Sequence, residues 1–270
     1  MTFWTASPPA ARTKTPPKQN ALKQKKRRTQ KVRRFLLFKG KTMLKDLERQ
    51  LHHLIITGLI DNCRCPTTEE LRHVSGVSAV QVREALHVLE ESHCVVLHPY
   101  SDRVWVVHPF SVTPTHTYVQ KGKKGWWAPC IWCALGVAEL VKGDVIIHAR
   151  IGGKEEPVAI SVVDGVPQTN ALYAHFAVPP VAAWNNVHHH CAMLLPFKSE
   201  TDIDAWSTMH GLERGKAVPI QQAATLARKW YDGHAGRNFQ KWTIPQAQQI
   251  FHDAGLQEAF WSIKSGAKNF

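Results

Sequence analysis

Leu44, Leu47, Leu51, Leu54 and Ile55 recur at three- and four-residue spacing, which predicts an amphipathic helix ending near Gly58. Cys63-Arg64-Cys65-Pro66 breaks that pattern. Thr67 with Glu70 has the form of a capping box and opens a second helix carrying Leu71 and Val74, with Gly76 at its turn. Ser78 with Gln81 repeats the signal for a third helix, whose inward stripe is Val82, Ala85, Leu86 and Leu89. Val95-Val96-Leu97, a turn at Pro99 to Asp102, and Val104 to Val107 then read as a two-stranded wing. Three helices and a hairpin make a winged-helix pattern over 43–108.

From Pro109 onward the pattern changes to short apolar runs broken by Gly and Pro. Thr117 to Val119, Val145 to Ile147, Val158 to Val163 and Tyr173 to Val178 read as strands. Gly122 to Gly125 and Gly152 to Lys154 read as turns. Helices are expected over 131–141, from Ile203 behind caps at Ser199 to Asp202, over 219–231 and over 245–254. The fold class is therefore α+β: a winged-helix-like three-helix domain over 41–108, then a mixed β-sheet domain with flanking helices over 109–270. Residues 1–40 stand apart.

Charge explains why. Eleven of the 34 Lys and Arg fall within residues 1–34, which hold no acid, leaving 23 basic against 21 acidic residues in the rest. With Pro8, Pro9, Pro16 and Pro17 and little apolar periodicity, this stretch reads as a disordered basic tail. Such a tail suits solvent, contact with nucleic acid or another polyanion, or removal as a targeting peptide. The third helix is a poor partner for DNA, because its outward face (Gln81, Arg83, Glu84, His87, Glu90, Glu91) holds three acids among six residues. No apolar run reaches the roughly 18 residues of a membrane span, and no secretory signal is visible. A cytoplasmic setting is expected, in which Cys63, Cys65, Cys94, Cys130, Cys133 and Cys191 stay as thiols.

Cys130 and Cys133 form a Cys-x-x-Cys pair, and Cys191 follows in His188-His189-His190-Cys191. The pair alone fits a zinc knuckle, a redox dithiol or two thiols at a helix start. A structural zinc from Cys130, Cys133, Cys191 and one of the three histidines is one arrangement, and small buried hydrophobes are the plain alternative. The histidine triplet reads as a strand with alternating exposed imidazoles. Trp126, Trp127, Trp184, Trp206, Trp230, Trp242 and Trp261 read as packing, with Phe260-Trp261 anchoring the last helix. Gly-rich phosphate loops, Gly-x-Ser-x-Gly and His-Glu-x-x-His are absent.

In order and spacing, His108-Pro109-Phe110-Ser111, Trp132-Cys133-Ala134-Leu135, His175-Phe176-Ala177-Val178-Pro179, and Cys191 followed by Trp206 resemble the alkylmercury lyase family over 105–215. The resemblance implies a catalytic domain packed on a winged helix, and no organic cofactor. It implies that Cys133 and Cys191 bind mercury as thiolates and cleave the carbon–mercury bond of a small organomercurial. A hydrocarbon would leave, and Hg(II) would remain as bound product until another thiol accepts it. Soft thiolates suit a soft metal, and protonolysis needs one acid.

The family's acid falls at position 136, which is Gly here, and a further family cysteine is matched by Ala149. Thiols of Cys130, Cys133 or Cys191, one of His188 to His190, and Glu139 are the substitutes the sequence offers. Two rivals remain: a metal-responsive winged-helix DNA-binding regulator, and a divergent relative with a non-mercury substrate.

Overall fold

The structure, a computed structural model, describes residues 44–183 and 186–263; the basic tail expected over 1–40 and Trp184 lie outside the described residues. Helices α1 (Asp46–Asn62), α2 (Thr68–Ser75) and α3 (Ala79–Glu91) come first. Both expected capping boxes are present, Thr67 with Glu70 and Ser78 with Gln81. The expected inward stripe of α3 is buried, and so are Leu51, Ile55, Ile56, Leu59 and Leu71 against it.

One boundary differs from expectation. Helix α1 runs four residues past Gly58 and ends at Cys63, whose left-handed backbone (φ 53°) caps it. Gly58 serves a different purpose, because a Cβ there would lie 2.7 Å from Cγ of Pro66. Close approach by the Cys63-to-Pro66 loop, rather than helix termination, demands glycine at this point.

Strands β1 (Val96–Leu97), β2 (Val104–Val107), β3 (Phe110–Ser111), β4 (Thr117–Lys121) and β5 (Lys124–Ala128) follow. The expected turn over 122–125 is shorter than the sequence suggests, since Lys124 and Gly125 already pair with Lys121 and Gln120. Next come α4 (Ile131–Val141), β6 (Val145–Arg150), β7 (Pro157–Val163), β8 (Val166–Pro167) and β9 (Tyr173–Phe176). The remaining elements are α5 (Pro180–Ala183), α6 (Val187–Met193), β10 (Pro196–Phe197), α7 (Glu200–His210), β11 (Lys216–Pro219), α8 (Ile220–Tyr231) and α9 (Ile244–Asp253).

Two sheets result, with strand orders β1-β2-β3-β5-β4-β6-β7-β8 and β10-β9-β11, and every pairing is antiparallel. The architecture is α+β. β6 alternates buried and exposed residues along its length, as a sheet with one covered face requires. Helix α4 is buried on nearly all sides.

The hairpin β1–β2 belongs to the same sheet as β3 onward, so pairing is continuous across position 108/109. Side chains join the helical layer to the sheet as well. The Trp126 indole N–H donates to the Leu59 carbonyl (2.6 Å), and Lys124 Nζ donates to the Asp61 carbonyl (2.8 Å). On the outer side of α3, Arg83 and His87 both reach Asp102 at the tip of the hairpin. Among the described residues no helix is long and apolar enough to cross a membrane.

Candidate functional site

Helix α4 begins on a sulfur. Cys130 is its N-cap, and its Sγ accepts the backbone N–H of Cys133 at 3.3 Å. Cys133 thus sits in the first helical turn, where free N–H groups and the helix dipole favour an anion. The N–H of Ile131 donates to the carbonyl of Leu194 (3.3 Å), just past the end of α6. That bond brings Cys191, near the end of α6, alongside the start of α4.

The histidine triplet lies on this helix and not on a strand, because Asn186 caps α6 by accepting the His189 N–H. Helical spacing separates the three imidazoles. His188 packs against Trp105 at 4.7 Å between ring centres, His189 is exposed, and only His190 is buried.

Sγ of Cys133, Sγ of Cys191 and a ring nitrogen of His108 all lie within 4.8 Å of one another, a set that could hold a metal ion. The imidazole that joins the sulfurs is therefore His108, from the link between β2 and β3, and none of the triplet. His108 Nδ1 is 3.6 Å from Cys133 Sγ, and its Nε2 is buried without a partner. Tyr231, the last residue of α8, places its Oη 3.5 Å from the same sulfur.

Burial alone would push the Cys133 thiol up, and it is the largest single influence. Hydrogen bonds from Cys130, Cys191 and His108 together outweigh it and hold Cys133 well below the ordinary thiol range. Cys130 is pushed up, first by burial and then by Cys133; Cys191 is pushed up, first by Cys130 and Cys133 and then by burial. Of the three sulfurs, Cys133 is the one whose surroundings favour the thiolate, and those of Cys130 and Cys191 favour the thiol. Burial, followed by the charge on Cys133, keeps the Tyr231 phenol un-ionised.

Cys133 and Cys191 are only 1% and 4% exposed, yet both line a cavity that is partly open to solvent. Its wall is largely aromatic, with Trp132, Phe176, Trp230, Trp242, Phe251 and Trp261. His52 on α1, with His93 and Cys94 after α3, completes it, so the helical layer closes one side. Cys94 also lines this cavity. Burial pushes the Cys94 thiol up to about 11.

Glu139 is elsewhere, bound to Lys142. Among the described residues no Asp or Glu lines the cavity. Gly136 is buried with the Tyr231 ring against it: a Cβ there would lie 2.3 Å from Cδ2 and 2.4 Å from Cε2. Sequence reading missed His108 and Tyr231 as members of the site. His108 had a signal, as first residue of the resembling segment His108-Pro109-Phe110-Ser111. For Tyr231, 98 residues from Cys133, nothing in the sequence points to it.

Comparison with known proteins bears on the fold and on one segment of the chain. The chain overlays a solved structure described as the mercury-bound form of MerB2 with a TM-score of 0.58 and 18% identity, covering 70% of this chain and 92% of that one. At that identity the likeness establishes a shared fold. No curated protein matches the chain. The family profile described as MerB, alkylmercury lyase, matches residues 110–232, a span that includes Cys133, Gly136, Cys191 and Tyr231. Over residues 110–232, then, the chain is similar to the alkylmercury lyase family.

Proposed function

We propose that this protein binds organomercurials through Cys133 and Cys191 and cleaves the carbon–mercury bond by protonolysis. The observation that carries the reading is the convergence of two sulfurs, from helices 58 residues apart in sequence, on the wall of one apolar cavity. Thiolates are soft donors and select soft, thiophilic metals over hard cations. The lowered pKa of Cys133 makes it the sulfur best suited to act as the first nucleophile.

In the proposed sequence the Cys133 thiolate attacks mercury and displaces its weakly held ligand. The organic group settles against Trp132, Phe176, Trp230 and Trp261. Cys191 adds as a second sulfur as the carbon–mercury bond breaks, the proton it gives up balancing the one delivered to carbon, and charge donated by both sulfurs favours that protonation. Protonation of that carbon releases the hydrocarbon. Hg(II) stays between the sulfurs until a thiol acceptor removes it. His108, within reach of both sulfurs, steadies the thiolate and offers a third donor to the retained ion.

The reaction itself is the test. Purified protein is incubated with methyl- or phenylmercury and excess thiol, and methane or benzene is followed in the headspace. Release that depends on both cysteines supports the reading. Release no faster than thiol alone rejects it.

A further inference from the structure

Resting on the reading above, the site still lacks an assigned proton donor. No carboxylate among the described residues lines the cavity, and position 136 bears no side chain. Five groups are in contact with Cys133 or interact with it: the thiols of Cys130 and Cys191, the imidazoles of His108 and His190, and the Tyr231 phenol. His108 directs Nδ1 at the sulfur and serves to hold its charge. Mercury displaces the proton of Cys191, and burial keeps His190 neutral; of the remaining groups, Tyr231 alone occupies the space over position 136, with its hydroxyl beside the Cys133 sulfur.

The ring of Tyr231 is also fixed in place. Gly136 lies directly beneath it, Trp132 packs at 5.7 Å between ring centres, and His234 meets it edge-on at 5.0 Å. Any side chain at position 136 would displace the ring, and with it the hydroxyl 3.5 Å from Cys133 Sγ.

We propose that Tyr231 is the catalytic proton donor of this site, its phenol O–H protonating the carbon as it leaves mercury, in a space that Gly136 keeps open. In that step the carbon–mercury bond breaks with its electron pair on carbon, and the phenol proton forms the new C–H bond. The second mercury–sulfur bond forms to Cys191, and the proton that Cys191 gives up returns to the phenolate oxygen. The organomercury–Cys133 adduct and the Cys191 thiol become the hydrocarbon and mercury held by both sulfurs. No oxidant or reductant is consumed.

The test uses the full chain with phenylmercury and excess thiol, following benzene release alongside intact-protein mass. Tyr231→Phe keeps the ring over Gly136, so it should still take up phenylmercury on Cys133. Benzene release should fall at least about a hundredfold, the lower end of what one positioned proton donor contributes. The uncleaved phenylmercury adduct should then accumulate. The double variant Gly136→Asp with Tyr231→Ala puts a carboxyl group into the vacated space and should recover part of the lost rate.

Tyr231→Phe releasing benzene within about threefold of the parent rate would overturn the assignment. So would loss of phenylmercury uptake along with cleavage, which would make the role structural. A parent protein that binds phenylmercury but never cleaves it would instead reject the lyase reading from which the assignment starts.

Discussion

Gly136 and Tyr231 pack so closely that a single methyl group on the glycine would lie 2.3 Å from Cδ2 of the tyrosine ring. In an ordinary helix interior, Gly→Ala gains up to about 1 kcal/mol from helix propensity. Overpacking a filled core costs about 1–3 kcal/mol, and the ring is enclosed by other aromatic side chains. The clash should win. Gly136→Ala is therefore expected to lower stability by about 1–2 kcal/mol in urea denaturation. It should also slow hydrocarbon release by moving the phenol, whereas simple gain of helix stability would contradict this packing.

The paired sulfurs make a sharper prediction about retention. Cys133→Ser or Cys191→Ser should leave less than about a tenth of the Hg(II) bound after washing with millimolar thiol, because one thiolate competes poorly with free thiol where two compete well. Cys63→Ser is the suitable control, since Cys63 is exposed at the end of α1. Cys94 is a poor one, because it shares the cavity. Equal retention in Cys133→Ser, Cys191→Ser and Cys63→Ser, read by atomic absorption, would contradict the assignment.

His108 holds part of the charge on Cys133, after burial and the two neighbouring thiols have acted. Replacing it with Phe removes one hydrogen bond to the thiolate, so the Cys133 pKa should rise. The thiolate fraction then falls most at low pH. Iodoacetamide labelling of Cys133, followed by peptide mass spectrometry, should slow more at pH 6 than at pH 9. An unchanged pH profile would show that the imidazole contributes nothing.

Buried histidines set the response to acid. Burial first, then Lys241 and His53, lowers His52 to about 3, and burial lowers His190 to about 4 against the charge on Cys133. Both are neutral in the folded protein and bind protons more readily when unfolded. Their contribution to stability is therefore complete above about pH 6.5 and is lost as pH falls toward 4 and 3. Urea midpoints should drop steadily between pH 6.5 and 4, and His52→Gln should flatten part of that drop. A midpoint independent of pH across this window would contradict the burial of these imidazoles.

Local signals carried much of the fold. Thr67 with Glu70, Ser78 with Gln81, and the stripe Val82, Ala85, Leu86 and Leu89 appear where spacing places them, because caps and helical stripes involve residues three or four apart. The histidine triplet misled because three like residues in a row have no periodicity, and a single Asn186 cap decides for helix. Gly58 misled because glycine is required equally for helix ends and for close approach.

At the site, the resemblance marked Cys133 and Cys191, and the fold brings them together. His108 and Tyr231 reach Cys133 only through the meeting of the β2–β3 link, α4 and α8, which no short window records. Departure at Gly136 was legible, but its meaning was not: the ring that occupies the space comes from the far end of the family segment.

The central claim is that one mercury ion bridges Cys133 and Cys191. Crystals soaked in a mercuric salt and washed with thiol should show one dominant anomalous peak bonded to both Sγ atoms, with His108 as its nearest nitrogen. Mercury found instead on Cys63 or Cys65, with the space between Cys133 and Cys191 empty, would contradict the account.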